Sequence, residues 1–185
     1  AWTLNLGGGA MMLGVFGGLA LAMVNIFSKT VKPAMVMAYA AFEGLALGTI
    51  SHLYNNLYQG IVSQAIIVTI CAFTGMLFAY KSGRIRVTPK FTKVLMTAMI
   101  GYLVLALLSL VGSFFGTSIY NIGGFGLIIA AGGMVLASFF LILDFDQIQK
   151  GIDQGLPEQE SWRAAFGLMV TIVWLYMEVL RLLSI

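Results

Sequence analysis

Six apolar runs, each about the length needed to cross a hydrocarbon core of ~30 Å, constrain this chain more than any other feature. They cover residues 7–27, 34–54, 60–80, 91–115, 122–149 and 161–183. Inside lipid every backbone polar group must be paired within its own segment, which favours helices. The period-two alternation of a membrane β-barrel is absent. Composition agrees. The 185 residues are 60% hydrophobic and only 9% charged, where a soluble domain carries roughly 25% charged residues. We therefore expect an all-α polytopic membrane helix bundle. The short connections predict a single domain over residues 1–185.

The connections alternate in charge. The first holds Lys29 and Lys32, and the third holds Lys81, Arg84, Arg86, Lys90 and Lys93. The second and fourth, residues 55–59 and 116–121, hold none. The fifth mixes Lys150 and Arg163 with Asp153, Glu158 and Glu160. By the positive-inside rule the odd connections are cytoplasmic, so the first run starts outside. The chain begins at Ala1 without methionine, and we expect it to be a fragment with residues 1–6 as the stump of a preceding helix. Gly14 and Gly18, Gly44 and Gly48, and the set Gly123, Gly124, Gly126, Gly132 and Gly133 suit close helix approach, and a monomer is expected. The single cysteine, Cys71, cannot form an internal disulfide.

Carboxylates inside such runs cost about 2.5–3.5 kcal/mol each on insertion scales and call for a reason. Glu43 lies mid-run, Asp144 and Asp146 close the fifth run, and Glu178 sits deep in the sixth. Asp146 points about 200° round the helix from Asp144 and is four residues from Lys150, a spacing for a headgroup-level pair. Arg181 stands three residues after Glu178, which permits a self-neutralising pair. Glu43 reads as a buried carboxyl, protonated or bonded to a neighbouring helix. The functional alternative joins Asp144 and Glu178. Two close carboxyls in a low-dielectric site cannot both ionise cheaply and would share a proton. Loss of that proton would loosen the latch and leave oxygens for a hard cation such as Ca²⁺.

The stretches Glu43-Gly44, Leu47-Gly48, Ile50-Ser51, Gln64-Ala65 with Thr69, Leu143-Asp144-Phe145-Asp146-Gln147-Ile148 and Leu175-Tyr176-Met177-Glu178 carry a resemblance. With them the chain resembles the Bax inhibitor family, also called the transmembrane Bax inhibitor motif or lifeguard family, and within it a bacterial, YccA-like branch. The resemblance covers nearly the whole chain. It implies a seven-helix fold with the last helix central and the first largely missing here. It also implies residence in a bacterial inner membrane and a pH-sensitive calcium leak gated by a carboxylate pair. Asp144 falls on the first member of that pair. Glu178 falls on the second, where the family usually has aspartate, so the latch here is one methylene longer. The family's basic partner falls nearest to Lys29. The acidic residue that some members carry in the helix matching residues 7–27 has no counterpart, and Glu43 would replace it only from another helix.

Competing functions are weaker. His52 is the only histidine and sits at a helix end, so neither a serine protease nor a His-Glu-x-x-His metalloprotease is supported. We expect no enzyme, no cofactor beyond permeating Ca²⁺, and no nucleic-acid partner. Some YccA-like relatives are described as modulators of a membrane-bound ATP-dependent protease. A regulatory role of that kind is the alternative reading, with the two charged cytoplasmic loops as docking surfaces. Besides such a partner, only the lipid bilayer is expected.

Overall fold

In a computed structural model, which describes residues 8–28, 31–114 and 124–185, the described residues form six helices. They are α1 (Gly8–Phe27), α2 (Pro33–Leu57), α3 (Ile61–Lys81), α4 (Pro89–Phe114), α5 (Phe125–Asp153) and α6 (Glu158–Leu183). The expected all-helical architecture holds. Five of the six, α2 to α6, are long and apolar enough to cross a membrane, while α1 contains a shorter apolar stretch, Met11–Phe27. Leu, Ile, Val and Phe side chains stand exposed along the helices, such as Phe16, Ile67, Phe78, Ile100 and Leu107. In water this would be an aggregation surface. Against acyl chains it is the ordinary outer face of a spanning helix. The loop at 116–121, Lys29 and Gly123 lie outside the described residues.

The ends of the helices follow local chemistry. Pro33 and Pro89 stand in the first turns of α2 and α4, where their missing N–H costs nothing. The Thr88 hydroxyl accepts the Phe91 N–H at 3.2 Å and caps α4. The fifth helix outlasts the apolar run and ends at Asp153, four residues past the expected limit. Its stop is a Schellman turn. Gly155 takes φ +59°, its N–H reaches the Ile152 carbonyl at 3.1 Å, and the Leu156 N–H reaches the Gly151 carbonyl at 3.0 Å. Pro157 then separates this turn from α6. The glycine, not the charge at Lys150, sets the boundary. Hydroxyls inside the helices are paired by back-bonding one turn: Thr49 to Leu45, Thr69 to Ala65 and Ser138 to Met134.

The helices divide into two compact units. The first comprises the described residues of Ala1–Val62 and Gln147–Met169. Here α1 and α2 meet at the glycines flagged by their spacing. A methyl at Gly14 would lie 2.7 Å from the Ala46 backbone nitrogen, and one at Gly18 would lie 2.9 Å from Glu43 Oε2. The other pair does not follow the same rule, since a methyl at Gly44 would meet nothing within 4 Å. Val31, Val36, Tyr39 and Phe166 form the apolar centre of this unit, with Leu21, Ala22, Trp162 and Met169 packed on it. Tyr39 and Phe166 meet edge to face at 4.9 Å. Arg163 donates to the Ser28 carbonyl, just past the end of α1, at 3.3 Å. Its charge there complements the negative end of the α1 dipole.

The second unit comprises Ser63–Asp146 and Val170–Ile185, with its described residues in α3, α4, α5 and the end of α6. One face of α5 is buried: Gly126, Ala130, Gly133, Ala137, Leu141 and Phe145. These follow one another at three- and four-residue steps, which makes a continuous stripe. Its small members allow close approach, and its large ones fill the space further along. Phe145 packs on Phe73 at 5.4 Å, and Phe140 packs on Trp174 at 5.8 Å. Leu175, Val179 and Leu180 of α6 are likewise buried.

Candidate functional site

Two polar constellations interrupt the apolar interior of the second unit. Both involve acids singled out from the sequence.

The first surrounds Glu178, which is only 3% exposed. An ionised carboxylate there is tenable only with strong donors around it. Three side chains supply them. The Tyr102 hydroxyl of α4 donates a hydrogen bond to Oε1. The Trp174 indole N–H, one helical turn back on α6, reaches the same oxygen at 3.2 Å. Arg181 Nη1 lies 3.3 Å from both carboxylate oxygens and 3.2 Å from the Tyr102 hydroxyl. The local Glu178–Arg181 pair permitted by their spacing is therefore formed. Gly133 of α5 makes the room, since a methyl there would lie 2.8 Å from Glu178 Oε2 and 3.0 Å from the Tyr102 ring. Tyr102 and Trp174 also stack obliquely at 5.5 Å. The result is a charge-neutral knot that ties α4, α5 and α6 together.

The second constellation is sparser. Asp144 of α5 accepts a hydrogen bond from the Thr171 hydroxyl of α6. Its other oxygen, Oδ2, is buried and has no hydrogen-bond partner among the described residues. A buried acceptor left alone forfeits its hydration without compensation. A proton, a water molecule or a cation can answer it.

The structure does not bring Asp144 and Glu178 together. Glu178 abuts Gly133, which precedes Asp144 by 11 residues on α5. Asp144 meets Thr171, which precedes Glu178 by seven residues on α6. At 1.5 Å per residue the two carboxyls stand on levels roughly 10–16 Å apart along the helices. Each has its own partners, and no proton is shared between them. A resident Ca²⁺ takes about 6–8 oxygens. The contact described for Asp144, a single Thr171 hydroxyl, supplies fewer oxygens than that. Among the described residues no three His, Cys, Asp or Glu side chains form a metal-binding group.

The remaining acids and bases separate from these levels. Glu43 is half-buried in the first unit and accepts a hydrogen bond from Tyr39, one turn back on its own helix. The expectation is a carboxyl protonated or bonded to a neighbouring helix; the described hydrogen bond is instead one within its own helix. Asp146 is half-buried, has a partner of its own, and faces away from Asp144 round the helix. Lys29 lies outside the described residues. His52 contacts Asn56 at 3.4 Å on α2.

Tyr102, Trp174 and Thr171 were not singled out from the sequence, while Gly133 was read there only as a close-approach glycine and not as a neighbour of Glu178. Trp174 carried a signal, since it stands four residues before Glu178. The other two, Tyr102 and Thr171, meet their acids only across helices, which no spacing reveals.

Comparison with curated protein sequences finds no significant match. A sequence model of the family described as Bax inhibitor 1 like matches residues 1–185. With its helical, multi-pass architecture and its full-length match, the chain belongs to the Bax inhibitor 1 like family.

Proposed function

We propose that this membrane protein is a pH-sensitive leak for hard cations, Ca²⁺ in particular, and acts without enzymatic chemistry. Its place would be the plasma membrane of a bacterial cell. The observation that carries the reading is the unpartnered Oδ2 of Asp144 at membrane depth. A structural acid in an apolar bundle is ordinarily given donors for both oxygens, as Glu178 is here. Asp144 is left half-satisfied, which makes its charge state the most consequential in the second unit.

In this reading the two acids act at separate levels of one path along α4, α5 and α6. Deprotonated Asp144 offers a negative, hydrogen-bond-poor oxygen to a passing cation. Protonated Asp144 removes that charge and closes the attraction. Glu178, neutralised by Arg181, holds the helices in register at the other level and contributes oxygens only when the knot opens.

Purified chain in liposomes loaded with a Ca²⁺-sensitive dye tests this. Leak should rise from mildly acidic to mildly alkaline buffer. Asp144→Asn should leave a low, flat profile, because the amide cannot titrate. Unchanged leak and unchanged pH response in Asp144→Asn would sink the proposal. Thr171→Val should keep the pH response but shift its midpoint, since it removes only the donor to Asp144.

A further inference from the structure

Five cations in the connection between α3 and α4 play no part in either acid level. Lys81, Arg84, Arg86, Lys90 and Lys93 are all exposed. Among the described residues none of them has an ion pair or side-chain hydrogen bond. The surrounding sequence supplies no counter-charge, because residues 44–143 contain no Asp or Glu. A surface this basic and this free of acids holds its side chains apart by mutual repulsion. An external anion would relieve that repulsion.

Its position says which anion. The cations start where two exposed apolar faces end. Phe78, 68% exposed, stands three residues before Lys81, and Val94, 67% exposed, follows Lys93 directly. Acyl-chain contact thus gives way to cationic side chains within one helical turn on both helices. On helices that cross a membrane such a change-over belongs at the level of phospholipid phosphates. The connection itself has a matching texture. Arg84 and Arg86 are exposed, while Ile85 and Val87 between them are half-buried. Arginine suits this task, since its planar fork meets two phosphate oxygens at once. The positive end of the α4 dipole, with Lys90 in its first turn, adds attraction of the same sign.

We propose that this connection is a binding site for the headgroup of anionic phospholipid, with Arg84 and Arg86 as its phosphate ligands and Lys81, Lys90 and Lys93 as its electrostatic rim. The site goes beyond setting topology: it makes bound anionic lipid part of the folded unit at the junction of α3 and α4.

Short-chain phosphatidylglycerol titrated into the purified chain in neutral detergent tests the site, with thermal stability as the readout. Phosphatidylcholine and inorganic phosphate run in parallel. Phosphatidylglycerol should stabilise the chain saturably, and more weakly at high salt because the charges are exposed. Phosphatidylcholine should do so little. The double variant Arg84→Gln/Arg86→Gln keeps three cations for topology. It should bind phosphatidylglycerol about 30-fold more weakly, at about fivefold per cation removed. Lys32→Gln, an exposed cation in another connection, should bind as the parent does. Equal binding by the double variant overturns the proposal. So does equal stabilisation by phosphatidylcholine, or by inorganic phosphate at the same concentration. Should the double variant be poorly folded, the single variants Arg84→Lys and Arg86→Lys decide: each should weaken binding while keeping charge, and parent-like affinity in both would remove the arginines from the site.

Discussion

Arg181→Met should destabilise the folded chain by about 3 kcal/mol, near the lower end of what breaking a buried ion pair costs. The asymmetry between the partners sets this size. Glu178 is 3% exposed, while the Arg181 side chain is 33% exposed. Removing the arginine strands a carboxylate that cannot reach water, with only Tyr102 and Trp174 left to hold it. Removing the glutamate instead leaves a guanidinium that can stretch outward, so Glu178→Gln should cost less. The double variant Glu178→Leu/Arg181→Met should recover most of the loss, because an apolar pair asks for no desolvation. Reversible unfolding in a mild detergent, read by tryptophan fluorescence away from Trp174 or by circular dichroism, measures the cycle. If Arg181→Met melts with the parent, the knot around Glu178 contributes nothing to holding α4, α5 and α6.

The second large effect is expected at Gly14. Valine there should cost about 1–3 kcal/mol or more, the usual range for overpacking a filled contact. The obstacle is the Ala46 backbone, with its nitrogen at 2.7 Å and its Cα at 3.0 Å from where the new Cβ would sit. A side chain could swing aside, but a helix backbone moves only as a whole. The α1–α2 contact would have to open. Gly44→Ala is the matched control, because a methyl at Gly44 meets nothing within 4 Å. It should be neutral or slightly stabilising, as alanine loses less chain entropy than glycine in a helix. Similar melting of Gly14→Val and Gly44→Ala would show that the close approach does not matter to stability.

These two sites mark what was legible in the sequence. Six helices could be read from apolar length alone, because lipid leaves the backbone few other choices. Gly14 and Gly18 were visible by spacing, and the structure uses them between α1 and α2. Gly44 and Gly48 had the same spacing, yet Gly44 faces open space. Spacing shows which residues share a face, not whether a neighbour covers that face. The same limit governed the acids. Glu178 with Arg181 lies within one helical turn and could be read. The partners Tyr102 of Glu178 and Thr171 of Asp144 belong to other helices and could not. The placement of Asp144 against Glu178 depended on the register of α5 against α6, and register is set by packing rather than by pattern. Gly155 carried its own information, since a glycine before Leu156-Pro157 marks a stop whatever surrounds it.

The empty place at Gly133 has one more consequence. The longer acid at position 178 fits because α5 gives up a side chain opposite it, so the two positions divide a single volume between two helices. Shortening that acid by one methylene, to aspartate, would return part of the volume, and a methyl on position 133 would then have somewhere to go. Glu178→Asp and Gly133→Ala are therefore substitutions whose effects belong together. Tested singly, each reports a misfit, and only the pair reports what the site tolerates.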